Sequence, residues 1–395
     1  MPQASIPSYA RNHAFADCPP GHRFSLYFDI WNTAWEIEKD GKAAAIRRTL
    51  ALGEGRGVLK AVLTRQECLG MALSADRCIV IDAESTAPFA TGLGVEHPVE
   101  NGFAFLSPYG LPYLAGSGVK GVVRRAAEEL LGVGHPIVNA LFGPEDAGTD
   151  EDSAPLDDAA RRRGALTFWD VFPEPIGHSL CIEVMTPHHT TYYEGDSSPH
   201  DAGQPNPIPF LAVPPGSKFR FVATFDASYC PRNVELPDDW KALVSKAFVH
   251  AFDWLGFGAK TAVGYGAMRL DEVAMTAQEE QRRQKAADEA RKQEEADDAR
   301  RSPEDRAFKE HSRVIAAFRS AFESAKRSPY KVGGPFDHQR WEFVRSALSW
   351  TEPRSRIEAA RLLSETMSKA WGMPSNKESK QKLQGSIADL NGTSV

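Results

Sequence analysis

With 42% hydrophobic and 25% charged residues over 395 positions, the chain has apolar mass for more than one core, which excludes a disordered or low-complexity protein. Five scattered cysteines (Cys18, Cys68, Cys78, Cys181, Cys230), never spaced C-x-x-C, argue against a disulfide framework and a zinc site and for a reducing cytosol. The net charge of −7 is uneven: residues 275–395 hold 23 Lys and Arg against 19 Asp and Glu, and residues 1–274 hold 23 against 34. An acidic front part is not what composition leads one to expect of a nucleic-acid binder. The N-terminal MPQASIPSYARNHAF lacks an apolar h-region and no stretch is long enough to span a bilayer, so the expected location is cytoplasmic, with no membrane partner.

In chain order, residues 1–23 read as an irregular lead-in, and residues 1–77 as an N-terminal, mostly helical region packing on the core. A helix is expected from about Val58 to Leu73, after the break Gly53-Glu-Gly-Arg-Gly57. Arg77 to Asp82 is a strand candidate. Leu111-Pro-Tyr-Leu114 ends a short strand, and Ala115-Gly-Ser-Gly118 is a turn whose glycines permit positive φ and close backbone approach. A helix follows to Leu131, its buried face marked by Val119, Val122, Val123, Ala126 and Leu130, with Ser117 where an N-cap belongs. Unpaired N–H groups at that end, with Lys120 in the first turn, form a ready anion site; a capped amphipathic helix with an exposed Lys is the plainer alternative.

An acidic segment containing Glu145, Asp146, Asp150, Glu151, Asp152, Asp157 and Asp158 reads as a solvated loop and runs directly into Arg161, Arg162 and Arg163. Strands are expected over Gly164–Phe172, Ser179–Met185, Ile208–Val213, Lys218–Phe225 and Ala267–Val273, with a helix over residues 238–254. Strands bracketing two helices suggest, for residues 78–274, an α+β domain of split βαβ, ferredoxin-like (RRM-like) type with insertions. Between the second helix and the closing strand lies Leu255-Gly-Phe-Gly-Ala-Lys-Thr-Ala-Val-Gly-Tyr-Gly266. Turning alone explains one or two of its glycines; exposed N–H groups with Lys260, Thr261 and Tyr265 suit a phosphate backbone with unpaired bases. The loop is no Walker motif, since Trp254 and Ala259 stand where glycines are required.

Five segments in order, GLGVEHPVENGFAF, LPYLAGSGVKGVVR, IEVMTPHHTTYYEGD, PIPFLAVPPGSKFRF and GFGAKTAVGYGAM, resemble the RAMP superfamily of CRISPR effector subunits, and within it the sixth-subunit family of the Cmr (type III-B) complex. The resemblance covers roughly residues 20–273. It implies a non-catalytic structural subunit, without cofactor or metal, that holds a guide (CRISPR) RNA toward its 3′ end and caps the filament in antiviral defence. Its implied partners are guide and target RNA, the other RAMP subunits and the small subunit of the complex. Carried onto this sequence, the implied RNA contacts are Gly116, Ser117, Gly118, Lys120 and Arg124 in the turn-helix, and Gly258, Lys260, Thr261, Gly264, Tyr265 and Gly266 in the glycine-rich loop. His188 and His189, in the His-rich loop Thr186 to Asn206, complete the set.

Metal binding by His188, His189 and His200 with Asp196 and Asp201 is the weaker reading of that loop, and Glu96 with His97 reads as structural hydrogen-bonding groups rather than an acid/base pair. Residues 275–303 form a charged helical linker without an apolar seam. Apolar faces beyond it (Phe308, Ile315, Phe318, Phe322; Trp341, Val344, Leu348; Ile357, Ala360, Leu363, Met367, Trp371) mark a small all-α domain over 304–372, and 373–395 reads as a disordered tail. Two alternatives stand beside the structural-subunit reading: a RAMP endoribonuclease processing guide RNA, and a scaffold recruiting an accessory factor through the C-terminal helices.

Overall fold

The computed structural model describes residues 3–10, 15–37, 41–144, 163–186, 207–236, 239–326, 333–367 and 377–392. Its chain divides into two compact units, residues 1–282 and 283–395.

The first unit opens with β1 (Gln3–Ala4), α1 (Pro20–Ser25), β2 (Asp29–Trp31), α2 (Gly41–Arg47) and α3 (Gly55–Ala72). The lead-in is thus more regular than its sequence suggests, because Pro19 and Pro20 start a helix that buries Phe24. Next come β3 (Cys78–Ser85), the pair β4 (Phe105–Leu106) and β5 (Leu111–Pro112), α4 (Gly116–Leu131), α5 (Pro136–Phe142) and β6 (Leu166–Phe168). A hairpin, β7 (Cys181–Met185) with β8 (Ile208–Ala212), precedes β9 (Lys218–Phe225), α6 (Trp240–His250) with a wider π turn at Ala251–Leu255, and β10 (Met268–Leu270).

Four strands form one antiparallel sheet in the order β10-β3-β9-β6. Counting only these four strands and α4 and α6, the chain order is strand, helix, strand, strand, helix, strand, and the sheet order is fourth, first, third, second. That is the split βαβ, ferredoxin-like arrangement.

The central pairing sets the layers. Ile79, Ile81 and Ala83 of β3 and Phe219, Phe221 and Ala223 of β9 alternate onto one face, where they pack with Val119, Val123 and Ala126 of α4 and Val244, Ala247 and Phe248 of α6. Phe24, Phe28, Ile30 and Ile46 of the N-terminal region belong to the same core. On the opposite face Asp82 stands across from Arg220, and the two meet in a bidentate ion pair at 2.7 and 3.2 Å.

Two strand ends differ from the sequence reading. β6 is only Leu166–Phe168, since the chain then leaves the sheet and reaches Leu114 through an isolated Val171 bridge. The closing strand stops at Leu270 because the Asp271 carboxylate accepts the Ala274 N–H and caps a new helix, which places Val273 on its exposed surface.

That helix, α7 (Glu272–Arg300), has no buried residue. In the second unit, α8 (Pro303–Ala325), α9 (Pro335–Leu348), α10 (Pro353–Glu365) and α11 (Lys377–Leu390) share a core of Ile315, Phe318, Phe322, Phe343, Val344, Leu362 and Leu363. The reading of residues 373–395 as a disordered tail is corrected for its described part, residues 377–392. Leu383 and Leu390, seven residues apart, lie on one helical face and are buried against this core, although the segment carries too few apolar residues to announce it. Within the unit, Lys309 reaches Glu294 and Asp298 at 2.8 and 2.7 Å, so charge rather than apolar packing fastens α8 to the end of α7.

At the start of α10, Glu352 accepts the Ser355 N–H and hydroxyl at 2.6 and 2.7 Å and pairs with Arg354 at 2.8 Å. Burial opposes the charge, but these bonds prevail and pull its carboxyl down to about 2. A depressed carboxylate contributes stability that is fully present above its unfolded value and lost as pH falls through the folded one. Acid unfolding of the helical unit should therefore set in as pH drops from about 4.5 toward 2, and Glu352→Gln should flatten that dependence. Circular dichroism melts at a series of pH values measure both.

Candidate nucleic-acid interface

Strand direction places the two sequence motifs. α4 leaves from the end of the sheet where β3 finishes, and α6, running the opposite way, returns to that same end before the glycine-rich loop. The N-terminus of α4 and the loop at 256–266 therefore converge on one end of the domain.

At the helix, Ala115 rather than Ser117 is the N-cap, and no side chain of the turn caps it. The cap comes from across the fold: the Asp170 carboxylate accepts the Gly116 N–H at 2.8 Å. Gly116 serves close approach, because a Cβ there would collide with the Phe168 carbonyl on β6. Ser117 and Gly118 are exposed, and among the described residues a Cβ at Gly118 would have only Leu114 beside it. Lys120 is half-buried and makes no ion pair among the described residues; burial, with Arg124 and Arg163 nearby, holds its ammonium below the ordinary lysine range. Arg124 is committed inside the protein. It bonds Glu128 at 2.8 Å, the Gly143 carbonyl at 2.6 Å and Asn139 at 3.3 Å, tying α4 to the end of α5.

The glycine-rich loop folds back on itself. The Phe257 N–H donates to the Gly266 carbonyl at 3.0 Å, the Ala259 N–H to the Ala90 carbonyl at 2.7 Å, and the Gly266 N–H to the Pro88 carbonyl at 2.8 Å. Two glycines differ in what they are for. Gly266, at φ +72°, has no room for a Cβ against the Phe257 carbonyl; Gly264, at φ +95°, faces open space. Gly258 packs on Ala90 and Phe89. Lys260 takes a left-handed backbone at φ 60° and carries its ammonium 5.9 Å from the Phe210 ring and 3.9 Å from the Met185 sulfur, with no ion pair among the described residues. Thr261 is half-buried, its methyl against Gly256.

Tyr265 is the member of the loop whose role changes. Its hydroxyl donates to Glu183 at 2.9 Å, and burial together with that carboxylate pushes the phenol up to about 12. Its ring lies 5.9 Å from Phe210. The side chain offered by sequence as a stacking platform fastens the loop to the β7–β8 hairpin instead. His188 and His189, between those two strands, lie outside the described residues.

His97 and Glu96 offer no acid/base pair. The His97 ring stacks on Phe24 at 3.8 Å, its Nε2 donates to the Phe24 carbonyl at 2.9 Å, and its Nδ1 accepts the Val99 N–H at 3.4 Å. That bonding requires the neutral tautomer, and burial lowers the imidazole's pKa accordingly. Among the described residues no group of three or more His, Cys, Asp or Glu could hold a metal ion, and no helix is long and apolar enough to cross a membrane.

Residues 82–269 match the RAMP superfamily. The chain carries a RAMP-superfamily domain. Both motifs lie within the matched span. The chain is similar to CRISPR system Cmr subunit Cmr6 of Pyrococcus furiosus, at 28% identity over 44% of this chain and 63% of the relative. It is also similar to the Cmr6 subunit of Saccharolobus solfataricus, at 26% identity over 49% and 59%. The chain thus spans less than two thirds of the length of either relative. Among solved structures, a type III-B Cmr-beta complex bound to cognate target RNA contains a chain 20% identical, with a TM-score of 0.44 over 60% of this chain and 75% of that one. The crystal structure of Pyrococcus furiosus Cmr6 aligns at 23% identity and a TM-score of 0.26, over 49% of this chain and 97% of that one.

The two glycines of the RAMP-domain loop make separable predictions. Gly264→Ala should cost about 1 kcal/mol, the strain of a left-handed alanine. Gly266→Ala adds a backbone collision and should cost about 2–4 kcal/mol. Urea unfolding of the two variants measures the difference.

Proposed function

We propose that this chain is a non-catalytic, RNA-binding structural subunit of a type III-B (Cmr) CRISPR effector complex, holding the guide RNA toward its 3′ end and capping the filament of RAMP subunits. The observation that carries the reading is the convergence, at one end of a RAMP domain, of two lysines that lack an ion pair among the described residues. Lys120 stands beside the exposed backbone of Ser117 and Gly118, and Lys260 beside Thr261 and the open surface at Gly264. Cations with adjacent backbone donors suit phosphates, which bind without regard to base sequence.

The partners in this reading are guide and target RNA, the other RAMP subunits and the small subunit. No catalytic residue is assigned: His97 has both ring nitrogens engaged and is held neutral among aromatic rings. The helical unit has its own apolar core, which suits a separate docking role such as recruiting an accessory factor.

The test is salt dependence in the assembled complex. Lys120→Ala combined with Lys260→Ala should weaken RNA binding across unrelated sequences. It should also flatten the log–log salt slope by roughly 1.4, about 0.7 for each single-strand phosphate lost. Filter binding between 50 and 300 mM salt, roughly, covers the range over which such slopes are read. An unchanged slope would remove both lysines from the RNA surface.

A further inference from the structure

Of the three consecutive arginines that follow the acidic segment, Arg163 lies among the described residues, and its surroundings are those of a ligand site. Its guanidinium carbon sits 5.0 Å from the centroid of the Tyr229 ring, and one terminal nitrogen donates to the Thr167 hydroxyl at 2.5 Å. Both Arg163 and Tyr229 are exposed. Stacking on a ring and bonding to one hydroxyl fix the guanidinium plane while leaving its other edge open. That is the arrangement in which arginine receives a phosphate bidentately.

Lys120, in the second turn of α4, lies near enough to Arg163 for the two charges to act on each other. Its ammonium is desolvated and repelled by Arg163, with no carboxylate paired to it among the described residues. The nearby Asp226 carboxylate accepts the Ser228 N–H at 3.0 Å and the Ser228 hydroxyl at 2.7 Å; it forms no ion pair with Arg163, and its charge offsets part of the cationic field there. The partly desolvated Lys120 and the exposed Arg163 repel each other in the free protein, and an anion bound between them reverses the sign of that interaction.

We infer that Arg163, Tyr229 and Lys120 form a second phosphodiester-binding site for single-stranded RNA, extending the RNA path from the start of α4 along the β6 edge of the sheet. Arg163 and Lys120 take successive phosphates, and the ring of Tyr229 positions the guanidinium and offers its rim to an adjacent base. This site rests on the RNA-binding reading above and adds to it a direction: away from the glycine-rich loop, toward the edge strand.

The experiment uses the full chain and a fluorescein-labelled single-stranded RNA of about twenty nucleotides, a length that spans several single-strand binding sites, titrated at several salt concentrations. Arg163→Ala should weaken binding about three- to tenfold at low salt and reduce the slope by about 0.7, the loss of one phosphate contact. Arg163→Gln should do the same, and Tyr229→Ala should weaken binding with a smaller change in slope. Since both side chains are exposed, thermal melts of the variants should match that of the unmodified chain. Lys260→Ala, which lies outside this cluster, separates the two ideas. If it lowers affinity and slope while Arg163→Ala and Arg163→Gln change neither, this inference is overturned and the RNA-binding reading stands. If the unmodified chain binds no RNA at low salt, both are overturned.

Discussion

The pairing of β3 with β9 is the contact on which the first unit depends. Seven residue pairs, from Cys78 with Thr224 to Glu84 with Lys218, lock the register, and strand alternation then sends every second side chain to the same face. Ile79, Ile81, Phe219 and Phe221 can only be buried if both crossing helices lie on that face. A one-residue slip of β3 along β9 would turn Asp82 into the aromatic layer, away from Arg220, and set Ile81 on the other side. The bidentate pair between buried Asp82 and half-buried Arg220 therefore guards the register as much as it adds energy.

Because α4 follows β3 and α6 follows β9, two strands that run antiparallel, the entrance of α4 and the exit of α6 share one end of the domain. Two segments some 140 residues apart in the chain are thereby brought to a common surface. Each is then shaped by close contact rather than by loose turning. Gly116 lets the helix start against the Phe168 carbonyl, and the loop at 256–266 closes through bonds to Pro88 and Ala90. A backbone pinned by such contacts, with cations at its rim, is organised before any ligand arrives, which is the condition that lowers the ordering entropy of the proposed RNA binding.

The polar side chains at this end fall into two groups. Arg124, Tyr265 and Asp170 are engaged with Glu128, Glu183 and the Gly116 N–H, and they hold the fold in place. Lys120 and Lys260, both half-buried, and the exposed Arg163 beside β6 have no carboxylate bonded to them among the described residues. The acidic balance of residues 1–274 does not contradict a cationic end, since net charge sums over a surface that the fold sorts into regions.

The alternation of apolar residues in Lys218–Phe225, the helical spacing after Gly118 and the glycines of 256–266 were enough to read a ferredoxin-like domain and its two special loops from sequence. Local pattern carries such information because burial of one face is a property of each segment by itself. The seamless charge of the helix before residue 300 was legible for the same reason. What a side chain bonds to is not local. Nothing near Ser117 says that Asp170 caps its helix, nothing near Tyr265 points to Glu183, and nothing near Arg163 points to Tyr229; each partner lies more than 50 residues away. Nor do two leucines in a polar stretch reveal that Leu383 and Leu390 complete the core of the helical unit. Periodicity fixed which faces are buried, whereas only the assembled sheet and its register decided which of the polar residues are consumed in holding the fold and which are left without a carboxylate among the described residues.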